Sequence, residues 1–190
     1  MEWRCNMERN GSLITNDCSL GGIRPIMADL AYPPVQVREK NQSYADLLMI
    51  DYCGSTSELS AILQYINNEN RLTGVQCSLV RTILGIAMAE MMHLQKLGEL
   101  IQLLGGTVCY ETKQPRGLWS PACLMLPGCV PQMLQADIRA EKDAIRQYQM
   151  HIRAIQDDCI RAVLRRIIKD EEYHIMILQS LQEEWGGASA

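Results

Sequence analysis

Between residues 43 and 185 one stripe of side chains recurs four times in alternating steps of three and four. In 43–71 it runs through Tyr44, Leu48, Asp51, Ser55, Glu58, Ile62, Tyr65 and Glu69. In 74–104 it takes Leu79, Ile83, Ile86, Glu90, His93, Leu97, Leu100 and Leu104. In 131–157 it takes Leu134, Ile138, Glu141, Ile145, Tyr148, Ile152 and Ile155. In 159–185 it takes Ile160, Leu164, Ile167, Glu171, His174, Leu178, Leu181 and Trp185. A period near 3.6 puts such residues on one helix face, and a mostly apolar face is stable only when buried. The expected fold is therefore all-α, a four-helix bundle. Gly54 weakens the middle of the first stretch and marks where it can break. Gly105-Gly106 and Gly186-Gly187 suit the ends of the second and fourth.

Short links near Leu72-Thr73-Gly74 and Asp157-Asp158 join antiparallel neighbours. The link 105–130 is long and carries Pro115, Pro121 and Pro127. It can cross the whole bundle and set the third helix parallel to the second, giving one long crossover between helices 2 and 3. Residues 1–42 hold no sustained period and are punctuated by Gly21-Gly22, Pro25 and Pro33-Pro34. They read as an extended, partly ordered arm ahead of a bundle spanning 43–190. Because 1–30 add no stripe, their removal is expected to leave the metal binding of any site in the bundle intact.

A chain of 190 residues suits one such domain. Its net charge of −4, from 18 Lys and Arg against 22 Asp and Glu, promises no broad cationic surface, so nucleic acid is not an expected partner. No run of ~20 uncharged apolar residues points to a membrane span. Met1 to Asn10 include Arg4, Glu8 and Arg9, unlike a secretory signal. The eight cysteines, at 5, 18, 53, 77, 109, 123, 129 and 159, include no C-x-x-C pair, which argues against a zinc knuckle. Scattered cysteines without an export signal read as reduced thiols of a cytoplasmic protein. Cys53, Cys77 and Cys159 read as small core or near-core residues.

Six polar residues stand where apolar ones belong: Glu58, Glu90, His93, Glu141, Glu171 and His174. Glu58 and Glu90 lie about 14 and 17 residues from the first link, and Glu141 and Glu171 about 16 and 13 from the second. At ~1.5 Å rise per residue each pair is level to within roughly one turn, near mid-bundle. Four buried carboxylates repel one another unless a cation compensates them. Carboxylates bridge and neutralise cations, and imidazole suits iron and manganese. One His per metal leaves positions open for oxygen or peroxide. The third histidine, His151, has Tyr148 three places before it instead of Glu, and reads as a surface or packing residue.

One Glu from each of two helices and a Glu-x-x-His from each of the others is the pattern of the ferritin-like di-iron and di-manganese proteins. The run Glu58-Leu59-Ser60-Ala61-Ile62-Leu63-Gln64-Tyr65 resembles the first ligand helix of bacterioferritins and rubrerythrins, including a Tyr seven residues after the Glu. Glu90-Met91-Met92-His93-Leu94, Ala140-Glu141-Lys142-Asp143 and Asp170-Glu171-Glu172-Tyr173-His174-Ile175 resemble the other three. The resemblance covers about 43–185. It implies a ferritin-like di-iron oxidoreductase that oxidises Fe(II) with oxygen or hydrogen peroxide, and a homo-oligomer of at least two subunits. By resemblance, Glu58 and Glu171 are terminal ligands, Glu90 and Glu141 bridge, and His93 and His174 each hold one metal. On that footing Glu141→Ala should uncouple the two metals. Tyr65 is the expected catalytic residue, as hydrogen-bond or one-electron donor.

Ala144 stands where rubrerythrins carry a further Glu. Met91 occupies the haem-ligand position of bacterioferritins, but beside Met92 on an apolar helix it reads as packing, and haem is not expected. Asp170 and Asp137 match acidic positions of bacterioferritins that support the ligands. Ala89 lacks the expected Asp, which leaves one histidine needing a different acceptor. Manganese catalases share the same Glu and Glu-x-x-His theme, so the alternative is a catalase with two manganese ions. A further alternative is a non-catalytic iron storage or cargo subunit. Gly11-Ser12-Leu13 and Ser19-Leu20-Gly21 faintly resemble encapsulin-targeting peptides, though an ordinary arm is the stronger reading.

Overall fold

The computed structural model describes residues 18–74, 76–113 and 115–186. Gly11-Ser12-Leu13 and Gly187 lie outside the described residues. The stretch 43–71 folds as two helices, α1 (Gln42–Cys53) and α2 (Glu58–Arg71). The break falls at Gly54, whose N–H ends α1 on the Ile50 carbonyl at 2.9 Å. A Cβ there would lie 2.6 Å from that same carbonyl oxygen, so the chain passes only as glycine. Ser57 then caps α2, its hydroxyl accepting from the Ser60 N–H. Glu58 thereby becomes the first residue of α2, where the free N–H groups favour a negative charge.

α3 (Cys77–Leu103), α4 (Val130–Ala154) and α5 (Asp158–Gly186) are continuous. Gly74 and Gly105, at φ +80° and +86°, turn the chain after α2 and after α3 in the left-handed region that glycine adopts freely. Asp157 starts α5 by accepting the Cys159 N–H at 2.9 Å. α2 and α3 form one hairpin and α4 and α5 the other, and α1 extends the first hairpin along the second half of α3.

The apolar core is divided in two. One cluster joins Leu48 of α1 to Leu97, Leu100 and Leu104 at the end of α3, Ile155 after α4, and Ile160 and Leu164 at the start of α5. The other joins Leu72 after α2 to Leu79 and Ile83 at the start of α3, Leu134 at the start of α4, and Leu178 near the end of α5. The starts of α3 and α4 share one end of the bundle, so these helices are parallel, as the long link predicts. α3 is long and apolar enough to cross a membrane by composition, but half of its most apolar stretch is buried inside the bundle.

The crossover is more structured than its prolines suggest. It holds a short antiparallel hairpin, β1 (Glu111–Lys113) with β2 (Arg116–Leu118), and a single 3-10 turn at Pro121–Cys123. Two devices bind it to α2. The Trp119 indole donates to Ser60 Oγ at 2.9 Å, and the Gln64 amide both donates to and accepts from the Met125 backbone, at 2.6 and 2.7 Å. The described arm, 18–41, has no regular structure and lies along the bundle surface.

Candidate metal centre

Between the two apolar clusters lies a polar slab. Glu58, Glu90, His93, Glu141, Glu171 and His174 are all buried there, none more than 3% exposed. They form two groups, Glu58, Glu90, His93 and Glu171, and Glu90, Glu141, Glu171 and His174. Within each, one potential ligand atom per residue lies within 4.8 Å of the others. His93 Nδ1 faces Glu90 Oε2 at 2.9 Å, Glu171 Oε1 at 3.4 Å and Glu58 Oε2 at 3.5 Å. His174 Nδ1 faces Glu90 Oε1 at 3.0 Å, Glu171 Oε2 at 3.0 Å and Glu141 Oε1 at 3.6 Å.

This geometry reassigns the carboxylates. Glu90 and Glu171 each offer one oxygen to either group, whereas Glu58 serves only the first and Glu141 only the second. Glu171 thus faces both groups and Glu141 only one, the reverse of the expected placement of Glu141 as bridge and Glu171 as terminal ligand. The two shared residues are those of the Glu-x-x-His pairs, which lie beside both imidazoles because α3 and α5 each carry a histidine one turn further on.

The donor set fits a pair of cations. His174 Nε2 donates to the Ile26 carbonyl at 2.8 Å, so Nδ1 of the neutral ring turns its lone pair into the cluster. Glu90 Oε1, both oxygens of Glu171 and His174 Nδ1 are buried without a hydrogen-bond partner among the described residues. Two divalent ions would cancel the four carboxylate charges. In their absence protons take their place. Burial alone would push His93 down, but Glu171, Glu90 and Glu58 outweigh it and hold the imidazole well above its usual range. Burial is likewise outweighed at His174, by Glu90 first. Burial, then Glu90, raises Glu58, and burial with Glu171 and Glu90 pushes Glu141 up to about 8. Glu90 moves the other way, because His93 and His174 overcome its burial.

The metal-free protein should therefore lose stability as pH rises. Glu58, Glu141, His93 and His174 keep protons in the folded state that the unfolded chain has already released. Each proton so held costs about 1.4 kcal/mol of stability per pH unit between its unfolded and folded values. Glu90 and Asp170, both lowered, are ionised in both states above about pH 5 and add no slope there. The unfolding temperature of metal-free protein is expected to fall from pH 5 to 8. With excess Mn(II) the trend should reverse, because metal displaces those protons. A metal-free unfolding temperature that rises across this window would contradict the arrangement.

The outer nitrogens of the two histidines are held differently. His93 Nε2 donates to Asp170 Oδ2 at 3.1 Å. Asp170 also accepts from Tyr32 Oη at 2.6 Å and the Ala28 N–H at 2.7 Å, and forms an ion pair with the Arg166 guanidinium at 2.6 Å. Against the pull of burial, its bonds to His93, Arg166 and Tyr32 lower its pKa to about 2. Ala89 leaves His174 without an equivalent carboxylate, and the arm supplies the Ile26 carbonyl instead. The arm thus reaches the site through Ile26 and Ala28, a contact that the reading of 1–30 as a dispensable arm did not foresee. The second aspartate, Asp137, contacts neither histidine. It accepts from Asn68 at 2.9 Å, and burial, partly offset by that bond, raises it to about 7.

Two tyrosines complete the cluster. Tyr65 of α2 donates to Glu141 of α4, and Tyr148 of α4 donates to Glu58 of α2. Tyr65 is the tyrosine expected from the sequence, and Tyr148 is an additional one. The signal was present, because both follow a Glu by seven residues. His151 is not at the surface: it is buried, with Nδ1 2.7 Å from Asp51 Oδ2, and Gln147 donates to Oδ1 of the same carboxylate at 2.8 Å. Met91 is 44% exposed on the outer side of α3. A cavity of about 180 Å³ opens against Glu58, Tyr65, Glu141 and Tyr148 and reaches Met125 of the crossover. Ala144 lines it, leaving empty a space that a longer side chain would fill.

A sequence profile of the ferritin-like domain matches residues 55–185. A probable manganese catalase of Clostridium acetobutylicum is 26% identical over 160 residues, which cover 74% of this chain and 70% of that protein. The crystal structure of the manganese catalase KatB of Anabaena matches with a TM-score of 0.74 and 25% identity, over 84% of this chain and 80% of KatB. Bacterioferritin BfrA of Mycobacterium tuberculosis matches with a TM-score of 0.66 and 24% identity, over 80% of this chain and 91% of its own. With four bundle helices, a long crossover and a mid-bundle cluster able to hold two metal ions, the chain belongs to the ferritin-like domain family.

Proposed function

We propose that the protein is a dimetal oxidoreductase that disproportionates hydrogen peroxide, with manganese as its resident metal. The observation that carries the chemistry is the buried pair of three-carboxylate, one-histidine groups beside a cavity of about 180 Å³. That space is ample for small oxidants such as peroxide and dioxygen. The choice of peroxide over Fe(II), which the sequence alone put first, is supported by the likeness to manganese catalases across most of the chain.

Glu58, Glu90 and His93 would hold one ion, Glu141 and His174 with Glu90 the other, and Glu171 would span both. A manganese pair held there supplies the two electrons that one peroxide takes and the next returns. The protein's own groups do the rest. Ile26 and Asp170 fix the imidazole tautomers, so that both Nδ1 atoms face inward. Tyr65 and Tyr148 keep their phenolic protons, because burial first and the adjacent Glu141 or Glu58 next raise both hydroxyls. They therefore serve as donors that hold Glu141 and Glu58 in place. Burial of the six side chains limits water at the reacting atoms to what the adjacent cavity admits.

This reading carries with it a cytoplasmic location and self-association. The test is oxygen release. Protein loaded anaerobically with Mn(II) should evolve one O₂ for every two H₂O₂ consumed, at a rate well above the Fe(II)-loaded form. Rapid Fe(II) oxidation without oxygen release would overturn the reading in favour of ferroxidase chemistry. Metal binding with neither activity would favour iron storage or cargo.

A further inference from the structure

The arm follows one face of α3 in register. Cys18 Sγ lies 3.7 Å from the Cys77 carbonyl oxygen and donates to it. One turn on, the Arg81 guanidinium donates to the carbonyls of Ser19 and Gly21. One turn further, the Ile26 N–H donates to the Gly85 carbonyl at 2.9 Å. Residues 77, 81 and 85 are spaced by four and so share a face. Gly85 permits the approach, since a Cβ there would stand 2.8 Å from the Ile26 side chain. Three consecutive contacts thus fix where Cys18 sits.

Cys18 is buried, and the 3.7 Å contact of its Sγ with the Cys77 carbonyl oxygen sets it against the backbone of that residue. Cys77 is exposed, which corrects its reading as a core residue. An exposed thiol beside a sheltered one is the arrangement of an attacking and a resolving cysteine. Eight residues after Cys18, Ile26 holds His174, so a bond at Cys18 would anchor the segment that orients that imidazole.

We infer that Cys77 and Cys18 form a peroxide-oxidised dithiol whose disulfide pins the arm to α3. The Cys77 sulfur attacks one oxygen of hydrogen peroxide. An S–O bond forms as the O–O bond breaks, giving the sulfenic acid and one water. The Cys18 sulfur then attacks the Cys77 sulfur. An S–S bond forms as the S–O bond breaks, and a second water leaves. Across both steps two thiols lose two electrons and two protons to one peroxide. A small dithiol reverses the change.

The step needs added peroxide and not the metal centre, so it is tested on metal-free protein and stands apart from the proposed catalase activity. Trypsin cuts after Arg9, Arg38, Arg71 and Arg81 but not at Arg24-Pro25, so peptides 10–38 and 72–81 each contain one cysteine. After brief peroxide treatment, alkylation and non-reducing digestion, mass spectrometry should find these two peptides joined, lighter by two hydrogens. The joined species should vanish with dithiothreitol and in Cys77→Ser. In Cys18→Ser the sulfenic acid at Cys77 should persist and be captured by dimedone. Dimedone capture at Cys77 of the parent without the joined peptide would overturn the inference. So would a bond from Cys77 to any other cysteine, in the same chain or a second one.

Discussion

Glu171→Ala is expected to cost the protein both metal ions, whereas Glu141→Ala should cost it one. Each Glu171 oxygen faces a different imidazole, at 3.4 Å from His93 Nδ1 and 3.0 Å from His174 Nδ1. Both oxygens are buried and neither has a hydrogen-bond partner among the described residues. Removing this side chain takes a donor from each group at once. Even groups that only support metal ligands change affinity by roughly 10- to 100-fold when lost. A donor shared by both ions should exceed that, so at least about 100-fold is expected at each position. Glu141 faces only the His174 group, and its loss leaves Glu58, Glu90, His93 and Glu171 intact. Metal titration should then find two ions per chain in the parent, one in Glu141→Ala and none at the same concentrations in Glu171→Ala. Thermal unfolding gives an independent reading. Ligand at 100 times its dissociation constant stabilises a site by about 2.7 kcal/mol, so the metal-dependent shift should shrink in Glu141→Ala and vanish in Glu171→Ala. If Glu171→Ala keeps the parent's stoichiometry and thermal shift, Glu171 is not a shared ligand.

Deleting residues 1–30 should weaken metal binding by roughly 10- to 100-fold, chiefly on the His174 side. The deletion removes the Ile26 carbonyl that accepts from His174 Nε2 and the Ala28 N–H that donates to Asp170. It also strips Arg166 of the Ala28 and Leu30 carbonyls, at 2.8 and 2.9 Å, which keep that guanidinium against Asp170. Without an acceptor, His174 is free to exchange tautomers and rotate, and its Nδ1 lone pair no longer points only inward. Competition with a chelator, on protein whose helicity is unchanged, measures the loss. Gly85→Ala is the gentler version. Its Cβ would meet Ile26 at 2.8 Å and the Arg24 carbonyl at 3.2 Å, so the arm must shift and affinity should fall in the same direction by less. A truncated protein that binds as tightly as the parent would leave the arm with no part in the site.

The six residues of the metal centre were legible because each breaks an apolar stripe at a position the helical period assigns to the core. Burial of a charge is too costly to occur four times without a compensating cation, so type and spacing together implied the chemistry. The parallel setting of α3 and α4 was legible from link lengths alone. Tyr148 could have been read by the repeat of its spacing after Glu141. Asp51 stood in the first stripe, but nothing local tied it to His151, a hundred residues away.

By itself, then, the sequence determined which side chains enter the core and at what level, because these follow from a local period and from the free energy of burial. Three things were decided only by the tertiary structure. Which carboxylates are shared depends on where two separate hairpins bring individual oxygens, and no single helix contains that information. The depth of the break at Gly54 reflects the contact with the Ile50 carbonyl together with the Ser57 cap, not glycine's weak helix propensity alone. The acceptor for His174 comes from a stretch with no period, 148 residues away, which acts through a backbone carbonyl. Every residue carries that group, so no residue type marks it, and only the packing of Ile26 against Gly85 brings it to the site.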